Sequence, residues 1–427
     1  MIDLCLTNCK LVPENKEYSI GINGGKIVSI TKIPPKSEEV IDINGNPILP
    51  GLIDAHVHFR DPGFTYKEDF RSGSEAAAAG GFTTVMDMPN TRPPTDTRRT
   101  FLEKLEIGKK KSIVDFALHA GVDDLEEINK IADLNPASFK VFTDNIDNSF
   151  LMEVFKEISR LPQDYPISIH AEDESITNFC TEMEKNIIDE DSKIYADARP
   201  PIAEVIAVST AISFSRFYNQ KIHICHVSTK KAIQEIITAK KEGLNVTCEI
   251  TPQHMFLDTS YFDKCGNFAK TNPPLRDSKN KLTLANLKDI DIIGTDHAPH
   301  VLKEKERNVW EAPPGIPNLE TTLSLLLTKV NENKMSFEDI KRLLCENPAK
   351  IFNLKNKGHI KEGMDADFVI IDMKKEDKIN PENFKTRAKY SPFEGFKVKG
   401  MPTMTIVRGN VVMENNEIFE NKGIYVY

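Results

Sequence analysis

His56 and His58, in the stretch LIDAHVHFRDPG, are spaced so that one metal ion could bind both side chains. They occupy positions i and i+2 of an apolar run that predicts a strand, so both imidazoles point to the same face. Neutral imidazole suits zinc and similar divalent ions. The pair alone is a weak signal, and it predicts a metal site only together with ligands from other elements.

Other side chains of the metal-binding type follow the later predicted strands. They are His119, His170, His223, His226, Asp296 and His297. A single histidine is more often part of the core or the surface, but several that converge on one rim indicate a shared site. We expect His119, His223 and His254 to orient other groups or to pack, and not to bind metal.

Lys140 is unusual because its neighbours Phe139, Val141 and Phe142 predict a buried strand. One interpretation is structural: an ion pair with a carboxylate such as Asp144. The other is chemical, because burial beside a metal favours a neutral, nucleophilic amine. Such an amine can add carbon dioxide, and the resulting carbamate would be an anionic bridge between two metals. The residues alone leave both interpretations open.

Eight short apolar segments, each a predicted strand, alternate with amphipathic helices through the middle of the chain. They span residues 52–58, 82–88, 113–120, 138–142, 166–172, 221–228, 245–252 and 291–298. Parallel strands need helical crossovers. Eight repeats therefore predict an α/β fold, a closed (β/α)8 TIM-like barrel with its chemistry at the carboxyl ends of the strands. An open doubly wound sheet is the alternative, but its glycine-rich dinucleotide fingerprint does not follow the first strand.

The two ends of the chain are similar to each other and differ from the middle. Both consist of short alternating runs with turn residues, such as the hairpin signal Asn23-Gly24-Gly25. We therefore expect residues 1–50 and 356–427 to pack together as a small β-sandwich domain. Residues 51–355 would form the catalytic barrel.

Net charge, cysteine spacing and the lengths of the apolar runs indicate which partners and which location to expect. The 427 residues carry a net charge of −9 without a basic run, which argues against nucleic acid. An anionic substrate would therefore need locally placed positive groups. The seven cysteines include no C-x-x-C pair, and we find neither a signal-like start nor a long apolar run. These features predict a cytoplasmic protein without a disulfide framework or a membrane partner.

Several stretches together resemble the dihydroorotases, a branch of the cyclic amidohydrolases. They are DAHVHFRDPG, VMDMPNTRPPT, SFKVF, HICHVST, TNPPLRD, GTDHAPH and SPFEGFKVKG, and the resemblance runs the full length of the chain. It implies a two-zinc site in a (β/α)8 barrel with a split β domain. It also implies the reversible closure of N-carbamoyl-L-aspartate to (S)-dihydroorotate in de novo pyrimidine biosynthesis.

The same resemblance implies a set of metal ligands: His56, His58 and Asp296 at one zinc, and His170 and His226 at the other. A carboxylated Lys140 and a hydroxide would bridge the ions, and Asp296 would also carry the proton during catalysis. Some bacterial dihydroorotases bridge the metals with an aspartate in F-T-D-D-G. Here the same place reads FTDN, residues 142–145, so Lys140 is favoured and Asp144 is the alternative.

The acidic substrate carries a carboxylate, and Arg60 lies two positions beyond His58. Its planar guanidinium suits a carboxylate, and it should share the metal-facing side if the strand stays extended. By resemblance, the further substrate contacts are His58, Asn90, Asn272, His300, Pro314 and Gly315. The loop that carries Trp310 is interpreted either as a lid or as a solvated loop. Cys225 should point away from the site by strand alternation.

Two other functions are weighed against this one. Amidases of hydantoin or allantoin share the metal ligands, but a substrate without a carboxylate has no use for Arg60. A catalytically inactive relative that supports aspartate transcarbamoylase would lack metal ligands, and none is missing here. The predicted partners are a small-molecule substrate and either further copies of the chain or aspartate transcarbamoylase.

Overall fold

Strands and helices alternate along the computed structural model, which describes residues 1–186 and 192–427. Within those ranges the strands are β1 (Ile2–Leu11), β2 (Lys16–Asn23), β3 (Lys26–Thr31), β4 (Ser37–Asp42), β5 (Pro47–Pro50), β6 (Leu52–Val57), β7 (Phe82–Asp87), β8 (Asp115–Leu118), β9 (Phe139–Phe142), β10 (Ile167–His170), β11 (Ile222–Ile224), β12 (Val246–Ile250), β13 (Ile292–Ile293), β14 (Phe368–Lys378), β15 (Lys397–Val407), β16 (Asn410–Glu414) and β17 (Glu417–Ile418). The α-helices are α1 (Phe70–Ala79), α2 (Arg98–Lys111), α3 (Ile128–Ala132), α4 (Asn148–Ile158), α5 (Glu174–Lys185), α6 (Ile194–Ala198), α7 (Pro201–Tyr218), α8 (Lys230–Lys241), α9 (Pro252–Phe256), α10 (Ser260–Cys265), α11 (Leu302–Lys305), α12 (Leu319–Asn331), α13 (Phe337–Lys341) and α14 (Asn347–Ile351). Among the described residues, no helix is both long and apolar enough to cross a membrane.

Strands β6 to β13 form the predicted barrel. β6, β7 and β8 pair in parallel, and so do β9 to β13. Parallel bridges from Val57 to His297 and from Ala120 to Phe139 close the ring between the two sets. The carboxyl ends of these strands therefore meet at one rim. The (β/α)8 fold predicted from the sequence is confirmed, although β13 is only two residues long.

The sequence explains why these segments take this form. Every residue of β6 and of β7 is buried, as expected for parallel strands that are covered on both faces. Helix α1 begins at a capping box in which the side chain of Asp69 accepts a hydrogen bond from the N–H of Ser72. It ends at Ala79 with Gly80 as its C-cap, and the next residue, Gly81, has a φ of +88° that suits glycine.

Strands from both ends of the chain share one sheet, which has nine strands within the described ranges. The N-terminal β5 pairs with the C-terminal β14, where Ile48 lies opposite Ile370. The predicted hairpin is present, because β2 and β3 are antiparallel and Gly24 and Gly25 between them have positive φ. The terminal segments therefore pack together, while the domain boundaries given above stay a prediction.

Candidate metal centre and active site

One corner of the barrel mouth is built by His56, His58 and Asp296. The histidines come from the end of β6, and Asp296 follows β13 with a φ of +48° that turns the chain at the rim. Nε2 of His56 and Nε2 of His58 lie 3.3 and 3.1 Å from the same oxygen, Oδ1 of Asp296. Three buried ligand atoms thus converge on one point, as binding of a divalent ion requires.

Burial and charge set the protonation of this corner. Burial raises the pKa of Asp296, but His56 and His58 outweigh it and hold the pKa below its usual value. Burial lowers the pKa of His58 to about 4. Burial also lowers the pKa of His56, but Glu249 and Asp296 outweigh it and hold that pKa well above its usual value. A metal ion would therefore bind at His56 in place of a proton.

His170 and His226 form a second corner beside the first. His170 ends β10, and His226 follows β11. Nδ1 of His170 is 3.0 Å from Nε2 of His226, and the ring centres of His226 and His56 are 5.3 Å apart. Two ring nitrogens that face each other at this distance are placed to share one cation.

Two acids and an arginine surround His170. Its Nε2 lies 3.1 Å from Oε2 of Glu172, and Arg199 contacts Glu172 at 2.8 Å and Asp144 at 2.5 Å. Burial lowers the pKa of His170, but Asp144 and Glu172 raise it to about 9. Burial raises the pKa of Glu172, but Arg199 and His170 lower it to about 2. Sequence reasoning missed Glu172 and Arg199; the spacing of Glu172, two residues after His170, was the available signal.

Lys140 is buried beside the second corner. Its Nζ donates to Sγ of Cys225 at 3.0 Å. Burial and the neighbouring charges, Lys140 among them, hold the pKa of His226 well below its usual range. Asp144, which was considered as an ion-pair partner of Lys140, contacts Arg199 instead. The geometry therefore leaves the amine of Lys140 facing the mouth.

The prediction that Cys225 points away from the site is wrong. Its Sγ contacts Lys140, and its ligand atom lies within 4.8 Å of ligand atoms on His56 and Glu249. Strand β11 ends at Ile224, and His226 has a φ of +35°. Regular alternation therefore stops before Cys225, and the side chains of two consecutive residues turn toward the mouth.

Glu249 is a further buried group that sequence reasoning missed. It lies on β12 and contacts Nδ1 of His56. It also accepts a hydrogen bond from the backbone N–H of His226 at 3.1 Å and lies 3.3 Å from Nε2 of His223. An ionisable residue inside a buried strand was the signal that could have found it.

The histidines that were not expected to bind metal have protein partners on both ring nitrogens. The partners are Ser138 and Ala55 for His119, Thr247 and Glu249 for His223, and Thr251 and Pro273 for His254. His297 has a similar contact, because its Nδ1 accepts a hydrogen bond from the backbone N–H of Asn318. These contacts fix the rings, as an orienting or packing role requires.

Arg60 reaches the mouth by a path that differs from the expected one. Strand β6 ends at Val57, and Arg60 has a φ of +61°, so the extended geometry does not persist. Its Nη2 lies 3.1 Å from Nε2 of His300, and its Nε donates to the carbonyl of Pro299. The side chain is buried and its charge interacts with Asp296. A guanidinium therefore lies beside the first corner.

The remaining predicted contacts near Arg60 lie around the same part of the rim. Oδ1 of Asn90 is 2.7 Å from Nδ1 of His58, and Nε2 of His300 is 3.0 Å from the carbonyl oxygen of Pro314. Gly315 has a φ of +148°, and an added Cβ would lie 2.3 Å from a backbone oxygen. Only glycine allows this close approach of two backbone segments.

Asn272 and the loop with Trp310 meet through Tyr195. The hydroxyl of Tyr195 donates to Oδ1 of Asn272 at 2.7 Å, and its ring centre is 6.4 Å from that of Trp310. Nζ of Lys270 donates to two carbonyl groups of this loop, both at 2.5 Å. The loop is thus tied to the rim, and its interpretation as a lid stays a prediction.

Comparison with known proteins agrees with this architecture. The amidohydrolase family matches residues 48–412. A dihydroorotase of Methanothermobacter thermautotrophicus is 47% identical over 427 residues, covering 100% of this chain and 97% of that protein. A dihydroorotase of Methanosphaera stadtmanae is 46% identical over 433 residues, covering 100% of both. The solved structure of an L-hydantoinase (dihydropyrimidinase) from Arthrobacter aurescens is similar, with a TM-score of 0.95 and 33% identity, and the match covers 100% of both chains. The chain therefore belongs to the amidohydrolase family.

Proposed function

We propose that this protein is a dihydroorotase, which interconverts N-carbamoyl-L-aspartate and (S)-dihydroorotate in de novo pyrimidine biosynthesis. The observation that carries the proposal is the buried guanidinium of Arg60 beside the corner of His56, His58 and Asp296. A cyclic substrate with a carboxylate needs a positive group there, whereas a neutral hydantoin ring does not. Relatives named dihydroorotase at 47% and 46% identity support the same choice.

The proposed cofactor is a pair of zinc ions. One would be held by His56, His58 and Asp296 and the other by His170 and His226, with carboxylated Lys140 and a hydroxide as bridges. The donor set fits, because all six side chains are buried around one mouth and zinc accepts imidazole and carboxylate ligands. Asp144 is less suited to bridge, because Arg199 already binds its carboxylate. When bound, the metal pair supplies a nucleophilic hydroxide at neutral pH and polarises the scissile carbonyl.

Asp296 is the proposed proton carrier. The neighbouring imidazoles keep its pKa low, so its carboxylate is ionised and can accept the proton of the attacking hydroxide. It returns the proton to the ring nitrogen as the amide C–N bond breaks. In the cyclising direction the same carboxylate takes the proton from the ureido nitrogen.

The proposed substrate contacts are His58, Arg60, Asn90, Asn272, His300, Pro314 and Gly315. Arg60 would bind the substrate carboxylate, and His58 would connect substrate and metal because its Nδ1 contacts Asn90 while its Nε2 faces Asp296. These groups provide the local attraction for an anion that a net charge of −9 does not provide.

The test is turnover of dihydroorotate, hydantoin and allantoin by the purified protein, with metal analysis of the same sample. We expect dihydroorotate to be the preferred substrate and zinc to be bound. Preferred turnover of hydantoin or allantoin would contradict the proposal. Complete inactivity of zinc-loaded protein would favour an inactive partner of aspartate transcarbamoylase.

The proposal also covers the location, the partners and the assembly of the enzyme. We propose a cytoplasmic enzyme whose partner is a small molecule, without a nucleic-acid or membrane partner, because the chain is acidic and has no basic run. A homo-oligomer or a complex with aspartate transcarbamoylase is the proposed assembly. Measurement of the particle mass in solution, with and without that enzyme, tests this part.

A further inference from the structure

We propose that Lys67 is a positioning residue for substrate recognition, because it fixes the tautomer of His300 that donates a hydrogen bond to an anionic substrate. This role rests on the proposed function, since it concerns how the rim binds the substrate carboxylate. Lys67 lies in the turn between β6 and α1. Its Nζ is 3.1 Å from Nδ1 of His300, whereas Arg60 contacts the other ring nitrogen.

His300 is a neutral imidazole in these surroundings. Burial lowers its pKa, and the charges of Arg60, Lys67 and Lys305 lower it further, so that this pKa lies well below its usual range although Glu304 raises it. A neutral imidazole carries one N–H, on either Nδ1 or Nε2, and its other nitrogen is an acceptor. The hydrogen bond at one nitrogen therefore decides whether the other nitrogen donates or accepts.

Each ring nitrogen of His300 faces one donor and one acceptor. Nδ1 lies 3.1 Å from Nζ of Lys67 and 3.4 Å from Oε2 of Glu304. Nε2 lies 3.0 Å from the carbonyl oxygen of Pro314 and 3.1 Å from Nη2 of Arg60. In the Nε2–H tautomer, the ring accepts from Lys67 and donates to Pro314. In the Nδ1–H tautomer, it donates to Glu304 and accepts from Arg60.

Lys67 favours the Nε2–H tautomer. Its Nζ is closer to Nδ1 of His300 than the carboxylate of Glu304 is, and 3.4 Å is long for a hydrogen bond to that carboxylate. The carboxylate also has other partners: Nζ of Lys67 lies 2.7 Å from its Oε2, and the hydroxyl of Tyr66 donates to its Oε1 at 2.9 Å. Glu304 therefore holds the ammonium group of Lys67 beside the ring.

The tautomer of His300 decides how this part of the rim interacts with an anion. In the Nε2–H form, His300 and Arg60 both direct N–H groups toward the same region, and a carboxylate accepts from two such donors at once. In the Nδ1–H form, the lone pair of Nε2 engages an N–H of Arg60 and repels a carboxylate. A neutral hydantoin ring needs neither donor. Lys67 therefore favours an acidic substrate over a neutral one, and it acts through His300.

The test combines ¹⁵N NMR of the His300 ring in zinc-loaded protein with steady-state kinetics. The ¹⁵N shift of each ring nitrogen shows which one carries the proton, and a His300→Gln sample identifies the signals among the 10 histidines. Wild-type protein is expected to show the Nε2–H tautomer. Lys67→Met is expected to shift His300 to the Nδ1–H tautomer and to raise KM for dihydroorotate about tenfold, while kcat and the zinc content change little.

Lys67→Arg and Lys303→Met are the matched variants. Lys67→Arg keeps a cationic donor, so it should retain the Nε2–H tautomer and most of the affinity for dihydroorotate. Lys303 is exposed on α11, one residue before Glu304, and Lys303→Met should change neither the tautomer nor KM. Thermal melting reports the fold of each variant, and Lys67→Ala replaces Lys67→Met if that variant does not fold.

Three outcomes would overturn this role of Lys67: the Nδ1–H tautomer in wild-type protein, the Nε2–H tautomer in folded Lys67→Met, or an unchanged KM in a variant whose tautomer has shifted. The NMR measurement does not depend on turnover, so it separates this role from the proposed function. Turnover of dihydroorotate with an unshifted tautomer in Lys67→Met would contradict the role and support the function. A shifted tautomer in protein whose wild-type form does not turn over dihydroorotate would support control of His300 by Lys67 and contradict the function.

Discussion

Two clusters of ionisable residues in the interior of this protein differ in composition and in how their charges are balanced. The Lys357 cluster consists of Lys357, Asp115, Asp365 and Asp367, and it joins the barrel to the terminal sheet. Nζ of Lys357 lies 2.7, 3.1 and 2.6 Å from the three carboxylates. The mouth cluster consists of the six proposed metal ligands named above. The first cluster contains its own cation at its centre, and the second is built around a point where ligand atoms converge.

The hydrogen bonding of the two clusters shows the same difference. In the Lys357 cluster, Asp115 also binds Nε of Arg408 at 3.2 Å. Burial lowers the pKa of Lys357, but the aspartates hold it well above its usual value. In the mouth cluster, Nδ1 of His226 is buried without a hydrogen-bond partner among the described residues, and so is Oε1 of Glu172 beside that cluster. A buried ionisable cluster therefore indicates a metal site where ligand atoms converge without a cation of the protein at their centre.

The largest effect is expected from removing Lys140, the proposed metal bridge of the mouth cluster. Lys140→Ala should lose metal and reduce kcat/KM for dihydroorotate by at least about a thousandfold, because the metal-activated nucleophile is lost. The fold should persist, and short carboxylic acids should restore part of the activity. Full activity of this variant without an additive would show that Lys140 is not the bridge.

The second largest effect is expected from removing the central cation of the Lys357 cluster. Lys357→Met leaves the buried carboxylates of Asp115 and Asp367 and the half-buried one of Asp365 without their central cation, so the free energy of unfolding should fall by about 3 to 5 kcal/mol. Urea denaturation measures the loss, and the metal content of the folded fraction should stay unchanged. The matched control is Lys26→Met, since Lys26 pairs with Asp365 from a side chain that is 40% exposed and should contribute less than about 1 kcal/mol. Equal losses from both variants would contradict the distinction.

The third effect tests whether substrate charge and metal charge are handled by different residues at the mouth. Arg60→Met removes one partner of a buried charge pair with the substrate, which costs roughly 3 kcal/mol, or about a hundredfold in kcat/KM. Metal content should not change. Arg71→Met, on the partly exposed Arg71 of α1, serves as the control. Unchanged kinetics of Arg60→Met would remove the argument for an acidic substrate.

The smallest effect concerns a neutral contact at the rim. Tyr195→Phe removes the hydrogen bond to Oδ1 of Asn272, and a single bond of this kind contributes about 1 kcal/mol. We expect KM for dihydroorotate to rise about fivefold while the metal content stays the same. Steady-state kinetics and metal analysis check this outcome, and loss of metal from the variant would place Tyr195 closer to the metal centre than proposed.

Much of this architecture could be predicted because it depends on local patterns. The strand of His56 and the hairpin turn at Gly24 and Gly25 follow from apolar patterning and from glycine, and both lie where expected. The error at Cys225 has a physical cause, since the rule of alternation holds only while a strand continues and β11 ends one residue earlier. Glu249 and Arg199 were missed because their partners lie far away in the sequence, and a single charged residue does not reveal which group it will meet.

The sequence by itself determined the eight repeats, the pairing of the two ends and the set of side chains able to bind metal. These features follow from periodicity and residue type, which act over a few positions. Only the tertiary structure decided how the groups combine: His56 between Asp296 and Glu249, Lys140 beside Cys225, and three aspartates around Lys357. Distances between strand ends set these combinations, because the electrostatic interaction of buried charges depends on ångström separations that spacing along the chain does not encode.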